Sequence, residues 1–460
     1  MSAPAAPVRL RPIRVGGERT GTAPLTWAQR VQWNDTEWMK PLDHHFNHLK
    51  VLDLPDGCEE SSVALVLGAV VNRHESLRTR YPLDRDGAPV QLLAATESLP
   101  LEIHRTSGPA AEVDREAAGL AAELRGRRFD LAAELPVRAA LLEHLGRPIR
   151  LVLVVSHVTL DYAGLVLLSE ELEALLSGRA TPDGQPPVRH QHFDQARAET
   201  EPPGLQRSAA ALDHWEEVLR AAPATIFDPP AGGLLPLDHP DRFGQVTMVS
   251  PALALATGTL AARLGTSSTT VLMAALNTVL GTVTGRDEVP LRLIASNRGF
   301  PALRDLVGIA LGSCVTLVRT SGRSFPEVVR DTAHAAMRAY RRAQCDPVAL
   351  AARKAQVSAE RGVPEIELSC GFNDLRPPRT GTGTAEQVLA LLPRTEIAWD
   401  GPKPRQEARL WYWAQDQDGA DVHHALVDLG HLPRERTEEL LRAVERVVVD
   451  AVLESPAADR

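Results

Sequence analysis

The sequence predicts an α/β protein in two domains, and three observations carry that prediction. The chain has 460 residues, more than one core of ordinary size encloses. A short apolar run, Leu151 to Val155, is followed after a short turn by a stretch of helical period, which is the alternation of strand and helix that builds α/β layers. After Gly178 the composition turns to proline and polar residues, RATPDGQPPVRH and then EPPG, the mark of an exposed connection between domains. The expected division is a flexible N-terminal tail over 1–23, a first lobe over 24–182 and a second over 183–460.

The opening MSAPAAPVRLRPIRVGGERTG mixes proline, glycine and arginine without an apolar core, arguing against a signal peptide or membrane anchor and for a frayed tail. In PLTWAQRVQW, Trp27 and Val31 stand four apart with Gln29 and Arg30 turned the other way, so a short amphipathic helix is expected. LDHHFNHLK then brings His44, His45 and His48. The His44/His48 interval would suit a metal on a helix, but no Asp or Glu stands where a metalloprotease-type site needs one, so a solvated or packed cluster is expected. Glu59 and Glu60 suit a helix N-terminus, and Val63, Leu65, Leu67, Val70 and Val71 continue it as a largely buried helix to Arg73. It ends in NRHESLRTRYP, where Arg73 and Arg78 have apolar flanks and could meet a buried carboxylate from another segment.

Leu151 to Val155 is too short for a buried helix and suits a central strand covered on both faces. From Tyr162 onward Leu165, Leu168, Leu172 and Leu175 recur at three and four residues, with Glu170, Glu171 and Glu173 between them, an amphipathic helix closed by Gly178. The turn joining the two holds His157 and Asp161. Taken alone, an HxxxD spacing is common, and it also describes a satisfied core histidine followed by a helix cap.

Further on, a helix from about Leu205 to Ala221 places Leu212, Trp215 and Leu219 on one face. LAARLGTSSTTVLMAALNTVLGTVTGRDEVPLRLIASNRG reads as helix, capped turn, long buried helix, turn and strand, with Gly285-Arg286 closing the second helix. RTGTGTAE, Arg379 to Glu386, alternates glycines but has no following Lys-Ser/Thr, so it reads as a mobile loop and not a phosphate cradle. ARLWYWAQDQ is strand-like, and a helix spans Arg434 to Leu453.

Fifty basic and fifty-nine acidic side chains leave a formal charge of -9, with 44% hydrophobic residues. No basic run is long enough for a nucleic-acid footprint, and no nucleic-acid or membrane partner is expected. Cys58, Cys314, Cys345 and Cys370 lie far apart with no CxxC, which argues against a zinc site or disulfide framework and for a reducing cytoplasm.

By their order and spacing, these segments resemble the condensation domains of nonribosomal peptide synthetases. Thr26, Ala28, Gln29 and Trp33 match the opening (S/T)xAQxRLW signature; Arg73, His74, Glu75, Leu77, Arg78 and Thr79 match RHExLRTxF, with Tyr81 for Phe. Phe129, Asp130, Leu131, Pro136, Arg138, Ala139 and Leu141 match FDLxxxPLxRAxL. His157 and Asp161 match HHxxxDG, with Ser156 for its first histidine and Tyr162 for its glycine, Gly164 following two places on. The match from Leu260 to Arg298 is nearly continuous, whereas RDLVGIALGSCVTLVR departs from VGxFVNTLPLR in length and lacks its Asn-Thr pair. The resemblance runs from 24 to 453.

The resemblance implies two chloramphenicol-acetyltransferase-like lobes, α/β sandwiches arranged as a V with the active site in the tunnel between them. It implies a free-standing condensation enzyme that joins an acyl or aminoacyl thioester on a peptidyl or acyl carrier protein to an amine or hydroxyl acceptor, itself free or carrier-bound. The phosphopantetheine belongs to the carrier; no cofactor or metal is expected on this chain. His157 is assigned as general base. Asp161 is expected to pair with Arg73, with Arg78 as second candidate, because a buried carboxylate needs a partner. Ser156, Tyr162 and Gly164 are expected beside the substrate tunnel. The Tyr162 ring either turns into the core, with Gly164 taking over the close approach, or narrows one tunnel mouth. Two other readings stand beside this one: an O-acyltransferase using acyl-CoA or an acyl carrier, and a non-catalytic recruitment module.

Overall fold

The computed structural model describes residues 8–228, 230, 233–379, 381–417 and 419–454. The chain divides into two compact units. The first runs to Gln206 and takes in Ser296–Gly312 as well; the second holds Arg207–Ala295 and resumes at Ser313.

In the first unit the order is β1 (Arg9–Gly16), β2 (Gly21–Pro24), α1 (Trp27–Met39), β3 (His48–Asp53), α2 (Glu60–Arg73), β4 (Thr79–Arg80), β5 (Val90–Leu93), β6 (Thr96–Thr106), α3 (Ala110–Gly126), β7 (Val137–His144), β8 (Arg147–Val155), α4 (Tyr162–Leu176) and α5 (His192–Thr200). Its main sheet has the order β1-β6-β7-β8-β3, and β2-β5-β4 form a small second sheet. Strand β8 is interior and buried on both faces, as its composition requires. Leu151, Leu153 and Val155 pack with Val63, Leu67, Leu165 and Leu172 of α2 and α4, while Val152 and Val154 pack with Leu120, Ala121 and Leu124 of α3. Helix α4 starts on Asp161 as N-cap and buries Leu165, Leu168, Leu172 and Leu175.

Several expectations are corrected here. Residues 1–7 of the expected tail lie outside the described residues, but much of the remainder is β1, paired antiparallel with β6 over its whole length. Ile13 and Val15 are buried and Arg9 and Arg11 meet Glu60, so alternation overrides a proline that an edge strand tolerates. In α1 the faces are reversed: Gln29 is fully buried and Val31 is 40% exposed, because Gln29 closes a capping box on Thr26. In α2 Leu65 is the residue left outside. The expected boundary after residue 182 also moves. The proline-rich stretch is a connection inside the first unit, since Glu199 accepts from Trp27 N–H at 2.8 Å and Gln191 donates to the Arg73 carbonyl at 3.0 Å. The division falls within α6 (Pro202–Ala221).

The second unit continues with β9 (Phe243–Val249), α7 (Pro251–Leu264), α8 (Ser268–Thr284), β10 (Glu288–Ala295), β11 (Gly312–Arg319), α9 (Phe325–Tyr340), α10 (Pro347–Glu360), β12 (Cys370–Asp374), α11 (Ala385–Leu391), β13 (Glu396–Pro402), β14 (Leu410–Gln417), β15 (Ala420–Asp428) and α12 (Arg434–Glu454). Its sheet, β11-β10-β12-β14-β15-β9-β13, is parallel from β10 to β14 and antiparallel onward to β13. Ser267 caps α8, and Gly285, at φ 65°, ends it, where a left-handed residue without Cβ is favoured. The glycine-alternating loop is pinned: Arg379 pairs with Asp416 and Asp421, and Gly383 N–H donates to Thr259 at 2.9 Å. Thr380 within it lies outside the described residues.

Candidate active site

Strand β8 ends at Val155, and the next six residues form a tight turn whose backbone is almost wholly enclosed. Ser156 N–H donates to the Pro136 carbonyl at 2.9 Å and Thr159 N–H to the Ser156 carbonyl at 3.0 Å. Val158, Thr159 and Leu160 are fully buried. Val158 packs with Leu25, Tyr81 and Leu131, and the Tyr81 hydroxyl lies 3.5 Å from Thr159 Oγ1. The Tyr81 that stands where the motif has Phe is therefore seated under this turn.

His157, on the turn, is partly exposed. Its Nδ1 lies 3.0 Å from the Leu160 carbonyl oxygen, an acceptor only, which fixes the proton on Nδ1 and leaves the Nε2 lone pair outward. Nε2 makes no hydrogen bond to the described residues. Desolvation holds the imidazole below its ordinary pKa, opposed by the Leu160 carbonyl and the Asp161 charge, so it is neutral at pH 7. A second imidazole, His48 on β3, approaches the same Nδ1 at 3.1 Å.

Asp161 does not pair with Arg73 or Arg78, which corrects the sequence expectation. Its carboxylate, wholly buried, accepts from Arg298 at 2.7 Å, from Ala310 N–H at 2.9 Å and from Gly164 N–H at 2.7 Å. Arg298 belongs to the Ser296–Gly312 segment that the first unit takes in. The guanidinium also donates to the carbonyls of Leu303 at 3.1 Å and Gly308 at 3.0 Å. Asn297, at φ 54°, donates to the Ala310 carbonyl at 2.9 Å, closing that segment on itself. Arg73 instead forms an ion pair with Glu171 at 3.0 Å, beside His74 at 2.7 Å from the same carboxylate. Arg78 is 3.8 Å from Glu75 and donates to the Ala94 carbonyl at 3.4 Å. Both arginines brace the C-terminal end of α2 and the residues leading into β4; neither reaches the turn that carries His157.

Of the three motif-adjacent residues, Ser156 is buried at 5% exposure and Tyr162 is 53% exposed. The Tyr162 ring does not turn into the core. Gly164 does make the close approach: a Cβ there would stand 2.7 Å from the Gly308 carbonyl oxygen. His192, fully enclosed, accepts from Ile309 N–H at 3.0 Å, and burial pulls it to about 4. The site thus gathers the turn 156–161, β3, α5 and the segment 296–312. Sequence reading missed Arg298 and His48, although Arg298 closes the Asn-Arg pair of the long motif and His48 stood in a histidine cluster.

Among the described residues no group of three or more His, Cys, Asp or Glu is placed to hold a metal, and no helix is long and apolar enough to cross a membrane. The arrangement can take a proton at His157 Nε2 and hold the turn rigid through Asp161.

Compared with known proteins, residues 19–363 match the family model described as Condensation domain. The chain is 28% identical over 348 residues, 74% of its own length, to the isonitrile lipopeptide synthase of Mycobacterium tuberculosis, of which it covers 14%. Over 320 residues it is 29% identical to the phosphinothricin tripeptide synthetase PhsC of Streptomyces viridochromogenes, covering 67% of this chain and 29% of that one. The chain spans less than a third of the length of these relatives. Among solved structures, one concerned with condensation domain-mediated chain release from the enacyloxin polyketide synthase matches at a TM-score of 0.73 and 22% identity, over 97% of this chain and 85% of that one.

Proposed function

The chain belongs to the condensation-domain family, and on that premise we propose that it joins a carrier-bound acyl or aminoacyl thioester to an amine or hydroxyl acceptor, forming an amide or ester. The observation that carries this reading is His157: Nδ1 is engaged by the Leu160 carbonyl at 3.0 Å, and Nε2 is left free on a neutral imidazole. That is the protonation state a general base requires.

A thioester is already activated, so the protein's task is to align a nucleophile with it and stabilise the tetrahedral oxyanion. The acceptor nitrogen or oxygen attacks the thioester carbonyl carbon while His157 Nε2 takes the acceptor's proton. The tetrahedral intermediate then collapses, the C–S bond breaks, and the proton passes to the departing phosphopantetheine thiolate. The phosphopantetheine arrives as part of the substrate on the carrier. Asp161 moves no proton in this scheme. Held by Arg298, Ala310 and Gly164, it keeps the turn in shape so that the imidazole does not wander.

Two neighbouring readings differ by donor and by catalysis. An O-acyltransferase would take acyl-CoA in place of the carrier thioester. A recruitment module would bind a partner and transfer nothing, and the replacement of the motif's first histidine and glycine by Ser156 and Tyr162 favours it. Purified protein is incubated with loaded carrier protein or acyl-CoA, supplied in trans, and a panel of amines and alcohols, and the products are read as intact masses. Transfer from the carrier supports the proposal; transfer from acyl-CoA alone supports the second reading. No transfer from either donor, with the protein folded, overturns both.

A further inference from the structure

His48 lies outside every motif that places this chain in its family, yet its ring meets the imidazole to which the chemistry is assigned. Strand β3 pairs antiparallel with β8 so that His48 stands opposite Val155, two residues before His157. The two rings meet edge-on, with centroids 4.5 Å apart and planes at 74°. His48 Nε2 is 3.1 Å from His157 Nδ1, the same atom that lies 3.0 Å from the Leu160 carbonyl oxygen.

Only one distribution of protons suits three such atoms. If His48 Nε2–H donated to His157 Nδ1, the Nδ1 lone pair would face the lone pairs of the Leu160 oxygen at 3.0 Å. The His157 proton would also sit on Nε2 and block the base. If His157 Nδ1 carries the proton, it is shared between the Leu160 carbonyl and the His48 Nε2 lone pair, and every contact is attractive. That arrangement needs a neutral His48 protonated on its own Nδ1. Burial, the facing His157 and Arg125 of α3 all hold His48 well below its ordinary pKa; only the Leu160 carbonyl opposes them.

At His157 Nδ1 the Leu160 carbonyl and His48 stand where no carboxylate of the described residues reaches. In a Ser-His-Asp triad a carboxylate accepts from the histidine's Nδ1–H, holds the tautomer and steadies the imidazolium. The carboxylate of this turn, Asp161, is committed to Arg298 and two backbone N–H groups, and the residue before His157 is a serine. We propose that His48 is a positioning residue for His157: its neutral imidazole shares the Nδ1 proton, holds the tautomer whose Nε2 is the free base, and accepts more strongly when Nε2 becomes protonated. The role in transfer rests on the reading of His157 as general base, whereas the tautomer does not. Because the orienting group is neutral, His157 gains less basicity than a carboxylate would confer.

The test uses the full chain with ¹⁵N-labelled histidine, as parent, His48→Phe and His48→Gln. Phenylalanine fills the space without an acceptor; glutamine offers a carbonyl oxygen. The parent is expected to show His157 protonated on Nδ1 with a midpoint below 6.5. In His48→Phe the Nε2–H tautomer rises several-fold and the midpoint falls, while His48→Gln restores both toward the parent. Where acyl transfer is measurable, His48→Phe lowers kcat about tenfold, short of the roughly 10²-fold or more expected for losing the base itself, with KM unchanged. His48→Gln recovers most of that loss, which a merely structural role would not produce. A His48→Phe protein that melts like the parent and keeps its tautomer and midpoint overturns the proposal. If the parent transfers no acyl group, the proposed function fails and the spectra still decide the role of His48.

Discussion

The Arg298 guanidinium donates to the Asp161 carboxylate at 2.7 Å across 137 residues of sequence, with Asp161 wholly buried. Removing one member of such a pair leaves the other charged and enclosed, at about 3 to 5 kcal/mol. Asp161→Ala and Arg298→Ala are each expected to lose about 3 kcal/mol or more in denaturant unfolding. A double-mutant cycle should show strong coupling between them and none between Asp161 and Arg73, whose ion pair is with Glu171. Coupling of Asp161 to Arg73 instead would refute the assignment.

Gly164 and Tyr162 are expected to separate cleanly. A Cβ at Gly164 would meet the Gly308 carbonyl oxygen at 2.7 Å and its nitrogen at 3.1 Å. Backbone cannot step aside, so Gly164→Ala should cost about 1 to 3 kcal/mol, the usual scale of overpacking. Tyr162, 53% exposed, should tolerate alanine within about 0.5 kcal/mol. Melting of the two variants side by side is the check, and a Gly164→Ala protein as stable as the parent would mean that the Gly308 backbone gives way after all.

Stability should fall with acid before the carboxylates titrate. His192 is neutral in the fold and held near 4 by burial, against about 6.5 in an unfolded chain. Between those values the unfolded state binds the extra proton, so the stabilisation is complete above about 6.5 and is lost as pH falls toward 4. His192 alone accounts for about 3 kcal/mol over that window by linkage. His192→Gln should flatten the dependence of unfolding free energy on pH; an unchanged slope would show that another group carries it.

Much of this was legible in the sequence because it is local. The apolar run of β8, the leucine period of α4 and the caps of α7 and α8 each depend on a few neighbouring residues, and each stands as read. What the sequence did not disclose is long-range pairing. Asp161 announced that it needed a cation, and the nearer motif arginines were natural choices, but the partner lies in a segment that returns to the first unit after β9, α7, α8 and β10 of the second. His48 was hidden for a similar reason. Its neighbour is set by the register of β3 on β8, and a histidine in a polar cluster gives no sign of which strand it will face. Gln29 was misread because a polar residue on a helix usually faces water, whereas here it closes a cap and points inward.

His157 is the base in the proposed transfer, and single-turnover acyl transfer from a loaded carrier protein, compared between parent and His157→Ala, tests that role most directly. The substitution removes the ring but no part of the Asp161 network, so circular dichroism and melting should stay near those of the parent. Transfer is predicted to slow by about 10²-fold or more, the scale of a lost general base. A His157→Ala protein that transfers the acyl group at the parental rate would contradict the account.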